Sequence, residues 1–134
     1  MRLLRLMRDT GIWAPVLVLI IHEVLHSREW KQQIDWFNHF SGGLAFSYFI
    51  WKSVPFAQPW FGSPTPLGRL VLAFLSGCTA ALIWEIIEFS SDVFLHTHIQ
   101  QNIHETMIDI VNGFLGTCLT TTLLILNLRP QART

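Results

Sequence analysis

Between Arg69 and Arg129 the chain has neither lysine nor arginine, and only 13% of its 134 residues are charged. So low a charge argues against a small soluble domain, which needs charge to keep a large surface wet. The formal net charge is zero, which removes the electrostatic case for a nucleic-acid partner. Cysteine is scarce: Cys78 and Cys118 both lie in apolar stretches, so they read as small packing residues and exclude a disulfide framework. Internal repeats and low-complexity tracts are absent as well, and the length allows one domain, residues 1–134. Arg2, Arg5 and Arg8 precede an apolar run, but His22 and Glu23 follow it where a signal peptide would have a small-residue cleavage site. That run is expected to stay as a helix.

What the chain has instead is apolar mass: 51% of residues, with six tryptophans and ten phenylalanines. An outer surface facing lipid suits that balance. The pattern predicts an all-α polytopic membrane protein, a four-helix transmembrane bundle with helices over about 11–26, 35–54, 67–95 and 105–128. Spans near 20 residues are what a hydrocarbon core of about 30 Å demands. Pro15 is expected to kink the first helix, and Met1 to Arg8 form an amphipathic lead-in. Pro55 to Pro66 reads as a loop, with Trp60 and Phe61 as interface anchors.

Basic residues set the expected orientation. Arg2, Arg5, Arg8, Lys52, Arg69, Arg129 and Arg133 fall on one side, against Arg28 and Lys31, partly offset by Glu29, on the other. The positive-inside rule then places both termini in the cytoplasm of a bacterial inner-membrane protein (N-in/C-in). With that orientation Asp35 and His39 lie near the outer end of the second span, and Glu85, Glu88 and Asp92 near the exit of the third. Glu105, Asp109 and Asn112 open the fourth span, while His22, Glu23 and His26 close the first. Nearly every ionisable group in the helices therefore falls in one layer near the outer leaflet. A carboxylate at mid-helix costs roughly 2.5–3.5 kcal/mol on insertion scales and marks a functional site by default.

Spacing sharpens the layer. Glu85, Glu88 and Asp92 stand at i, i+3 and i+7, one stripe of one helix. Like charges on one stripe will not all ionise without a cation or hydrogen-bond donors, so the stripe reads as a cation or ligand site or as a protonated packing network. Asp35 and His39 are i, i+4, with Gly42 and Gly43 on the same side; they read as ligands or as an Asp–His hydrogen bond closing the bundle. Asp109 and Asn112 point along the seam marked by Gly113 and Gly116, where Asn112 can hold a carboxylate in either protonation state. His22-Glu23-Val24-Leu25-His26 matches the H-E-x-x-H zincin pattern, a short signature open to chance. Exposure is the default reading of His96, His98 and His104.

Three segments carry a family resemblance: Asp35-Trp36-Phe37-Asn38-His39-Phe40 with Gly43, Trp84-Glu85-Ile86-Ile87-Glu88-Phe89, and Glu105-Thr106-Met107-Ile108-Asp109 with Gly113 and Gly116. In their order and spacing, from Asp35 to Gly116, the chain resembles the YjdF-like family of small bacterial membrane proteins, in the VanZ-like neighbourhood. Glu105 stands where that pattern has aspartate. The resemblance implies a membrane location, a shared polar site and, through the VanZ-like link, a role in the cell envelope. It implies no reaction.

Two functions fit these residues. One is a divalent cation (Mg, Mn, Ca, Zn or Fe) held by Asp35, His39, Glu85, Glu88 and Asp109, with Asp92, Asn112 and His22 behind them. Such an ion could act on a membrane lipid or a lipid-linked substrate. The other is a non-catalytic layer that packs the bundle or binds a headgroup or antibiotic. Transport fits less well, because the inner halves carry no acidic path and four helices are few without an oligomer.

Overall fold

The computed structural model describes residues 2–26, 31–100 and 102–128, and of residues 25, 26 and 31–34 the backbone alone. Five helices follow in order: α1 (Arg2–Thr10), α2 (Trp13–His26), α3 (Lys31–Phe61), α4 (Pro66–Leu95) and α5 (Ile103–Asn127). Among the described residues there is no strand, and the fold is all-α. Helix α3 is the hub, packed against each of the other four and most extensively against α5.

The elements start and stop where local chemistry directs. Gly11, at φ +74°, makes the break between α1 and α2, a left-handed turn that costs glycine least. Pro15 falls in the first turn of α2, where its missing N–H removes no helical bond, so it starts the helix instead of kinking it. Thr65 caps α4 by accepting from the Gly68 N–H at 3.0 Å, with Pro66 as first helical residue. Asn102 caps α5 through the Glu105 N–H at 3.1 Å.

The main departure from expectation is the C-terminal half of α3, which runs through Pro55 and Pro59 to Phe61 where a loop was expected. Pro55 cannot donate to the Trp51 carbonyl one turn back. That carbonyl instead accepts from Arg69 Nε at 2.6 Å, and the Arg69 guanidinium lies 4.1 Å from the centroid of the Trp51 ring. A tertiary partner thus replaces the lost helical bond. Trp60 and Phe61 are exposed at the end of this extension.

Packing is inverted relative to a water-soluble core. Apart from Leu70 and a group of acids with Asn38 and His39, buried positions are small or hydroxylated, among them Ala45, Ser47, Ala73 and Thr117, while many Leu, Ile and Phe side chains line the outside. Gly43 meets the Gly113 carbonyl and Gly116 meets the Phe40 carbonyl so closely that a Cβ at either would overlap backbone. Small residues that let helix backbones touch are the usual seam of helices packed in lipid. Helices α4 and α5 are long and apolar enough to cross a membrane, and Trp13–Val24 is a shorter apolar helix. Both cysteines are free. Arg28, Glu29, Arg129 and Arg133, and the side chains of Lys31 and His26, lie outside the described residues.

Candidate functional site

The N-terminal part of α3, the C-terminal part of α4 and the first turns of α5 bring their acids to one place. His39, with a side chain only 4% exposed, is the centre. Its Nδ1 lies 3.1 Å from Glu85 Oε1, and its Nε2 lies 3.7 Å from Asp35 Oδ1 and 3.9 Å from Asp109 Oδ2. Glu85, Glu88 and Asp109 are buried, and Asp35 is partly so. Two overlapping sets could each hold an ion: Asp35, His39 and Asp109, and His39, Glu85 and Glu88, with ligand atoms within 4.8 Å of one another. The i, i+4 and i, i+3 spacings put Asp35 with His39 and Glu85 with Glu88 on one face each. The faces meet because α3 and α5 both begin at this end of the bundle while α4, antiparallel to them, ends there.

Hydrogen bonding around these groups is uneven. Glu88 Oε1 accepts from the Trp84 indole at 2.8 Å, and Glu85 Oε2 accepts from the Gln100 amide at 3.1 Å. In contrast, Asp35 Oδ1, His39 Nε2 and Glu85 Oε1 are buried and make no hydrogen bond within the protein. The Nδ1–Glu85 approach is short enough for a bond but lacks its geometry, so proximity there is not satisfaction. A buried polar group left unpaired costs about 1–3 kcal/mol, and three on facing side chains are an unusual concentration. His39 lies within ion-pair distance of Asp35, Glu85 and Asp109.

One cavity borders the imidazole and another borders its carboxylate neighbours. A polar one of about 190 Å³ is lined by Asp35, Glu85, Glu88, Glu105 and Asp109, with Gln100 above. An apolar one of about 320 Å³ lies between α2, α3 and α4, and His22, Asn38 and His39 form its polar end. Glu105 therefore belongs to the site, although sequence reading left it out of the ligand set.

Asp92 lies apart. Both its oxygens are taken by the α4–α5 loop, accepting from Thr97 Oγ1 at 2.6 Å, the Ile99 N–H at 2.6 Å and the Gln100 N–H at 2.8 Å. Its role in the structure is to shape the loop that delivers Gln100 to Glu85. Asn112 is half-buried on α5 and borders neither cavity. His22 packs edge-on to Trp84, with ring centroids 5.2 Å apart. Glu23 is exposed, and neither residue of the H-E-x-x-H stretch joins an ion-holding group among the described residues.

Gln100, Trp84 and Asn38 were not expected at the site, although Trp84 and Asn38 stand in the segments that carry the family resemblance. Trp84 carried a usable signal, since it stands i, i+4 from Glu88. Gln100 carried none, because only the loop fold brings it back over fifteen residues.

Residues 11–130 match the family described as "Predicted membrane protein (DUF2238)", for which the YjdF-like resemblance is a consistent name. An "Uncharacterized protein" of Thermotoga maritima is 32% identical over 79 residues, 58% of this chain and 40% of that protein. The chain thus aligns with about two fifths of that relative's length. No solved structure matches. With nearly its whole length matched by that family, and with large apolar side chains outside and small ones within, the chain belongs to the DUF2238 family of predicted membrane proteins.

Proposed function

We propose that this is a multi-pass protein of the bacterial inner membrane whose buried acid–histidine pocket binds a divalent cation. Helices α2 to α5 form the spanning bundle, both termini are cytoplasmic, and the pocket lies near the outer leaflet. The single observation that carries the cation is the set of hydrogen-bond-orphaned atoms at Asp35 Oδ1, His39 Nε2 and Glu85 Oε1, gathered around one imidazole beside a pocket lined by carboxylates. Carboxylate oxygens with one imidazole nitrogen suit Mn, Zn or Fe, and Mg less well. His39 Nε2 with Asp35 and Asp109 is the better ligand trio, because Nε2 is the unpaired ring nitrogen and faces those two carboxylates, whereas Glu85 lies against Nδ1. When bound, such an ion supplies Lewis-acid polarisation of a phosphoryl or carbonyl oxygen. Glu105, at the mouth of the polar cavity, and Gln100, above Glu85, would orient a polar head there. The VanZ-like neighbourhood fits an envelope role and names no reaction.

The alternative is a network that only braces α4 and the α4–α5 loop, favoured by the Trp84–Glu88 and Gln100–Glu85 bonds. Elemental analysis of protein purified in mild detergent without chelators, beside Asp109→Asn and Glu88→Gln, separates the two. Near-stoichiometric metal that Asp109→Asn abolishes supports the cation. Metal-free protein that also fails to take up Mn or Zn on dialysis would leave the network as the function of the layer.

A further inference from the structure

Gly42 and Gly43 are adjacent on α3 and do different things. A Cβ on Gly43 would collide with the Gly113 backbone, so helix packing requires that glycine. A Cβ on Gly42 would meet nothing within 4 Å, so packing does not require it. A glycine inside a helix nevertheless costs roughly 0.5–1 kcal/mol relative to alanine. What the missing side chain does is keep space open: Gly42 lines the apolar cavity beside His39, opposite Ala80 of α4 and Leu19 of α2.

The shape of that cavity identifies an occupant. Its walls run from His39 to Phe46 on α3, about 10 Å along the axis at a rise of 1.5 Å per residue. They are apolar except at one end, where His22, Asn38 and His39 lie. His39 is also the side chain whose imidazole reaches Asp35, Glu85 and Asp109, which line the polar cavity. An apolar slot of about 320 Å³ that ends at an imidazole, whose carboxylate neighbours line a separate polar pocket of about 190 Å³, is complementary to a molecule with a chain and a head. Its apolar volume falls at the small end of the roughly 300–1,000 Å³ usual for ligand pockets, enough for one chain and no more. Hydrocarbon is also what surrounds the helices of a membrane protein, so a chain enters such a slot sideways without crossing water.

We infer that the apolar cavity between α2, α3 and α4 receives the single hydrocarbon chain of an amphiphile whose oxyanion head, phosphoryl or carboxyl, is delivered to the His39 cluster. The head assignment rests on the cation proposed above, since an oxyanion would not otherwise approach so many carboxylates. The chain assignment rests on the cavity and on Gly42.

The test uses the full chain in phosphatidylcholine nanodiscs with Mn²⁺. The probe is dodecyl phosphate carrying a terminal diazirine, and the matching dodecanol is the headless probe. Photolabelled peptides are mapped by mass spectrometry, and bound Mn is measured on the same samples. Gly42→Leu fills the slot without touching the acids and is expected to lower labelling at Leu19, Phe46 and Ile83 at least about tenfold, a loss of 1.4 kcal/mol, with Mn content unchanged. Ala80→Leu fills the same slot from α4 and should do the same, which guards against a fold defect peculiar to either variant. Undiminished labelling in both would overturn the inference. Should the wild-type protein hold no Mn, the cation reading fails by itself and the dodecanol probe decides the chain site: labelling lost in Gly42→Leu supports it, and labelling retained overturns it.

Discussion

The seam and the acid layer are both buried and polar, and they share α3, α4 and α5, yet they are finished differently. In the seam each buried hydroxyl donates to a backbone carbonyl: Ser47 and Thr117 to Gly43 at 2.9 and 3.4 Å, Thr120 to Leu44 at 3.0 Å, Thr121 to Thr117 at 2.9 Å. Glycines there press backbone against backbone. Around His39, by contrast, buried atoms on three side chains have no hydrogen bond, and two cavities adjoin them. A region that only had to hold helices together would resemble the first. Polar atoms kept buried and unmatched beside open space are what the proposed cation would satisfy.

The comparison breaks most visibly at the seam's glycines. Gly116→Leu drives a side chain into the Phe40 carbonyl and should cost about 3 kcal/mol or more, read as loss of a folded, monodisperse species in detergent. Close to native stability in that variant would mean the helices do not touch as described. In the acid layer the effect should appear only with metal. Wild-type protein should gain about 2.7 kcal/mol of apparent stability at Mn or Zn a hundredfold above Kd, seen as a rise in Tm. Asp109→Asn should keep the metal-free Tm within a few degrees and lose that rise. A large metal-free loss instead would make the layer structural, like the seam.

Smaller effects sharpen the contrast. Gly42→Ala should stabilise by about 0.5–1 kcal/mol, whereas Gly43→Ala, its neighbour, should destabilise, since only the second meets backbone. The same sign at both positions would remove the distinction on which the open slot rests. Least of all, Thr117→Val deletes one bond from a seam that keeps its shape. It should cost about 0.6 kcal/mol, the average for such bonds between membrane helices, measurable by a reversible unfolding titration.

Much of this was legible from residue order because the signals are local. Thr65-Pro66 and Asn102 fix where α4 and α5 begin, since a cap acts within one turn, and both starts fall within two residues of expectation. Asp35, His39, Glu85, Glu88 and Asp109 could be expected on common faces from their spacing alone, and the folded helices set them side by side. Asp92 shared the stripe on paper, but in the last turn of α4 the loop amides lie nearer than the cluster. The extension of α3 through Pro55 was hidden because its support, Arg69 on the Trp51 carbonyl, comes from another helix.

Composition, periodicity and caps, properties of neighbours along the chain, determined by themselves that the protein is helical, apolar outside and acidic along a few helix stripes. Only the tertiary structure decided that Gly43 is filled by a partner backbone while Gly42 faces open space. It alone decided that Gln100 returns to Glu85 and that the imidazole at the end of the apolar cavity lies against carboxylates that line a polar one. The reason is physical: whether a buried atom finds a partner depends on which surface of another helix arrives opposite it, and no spacing along one helix contains that information.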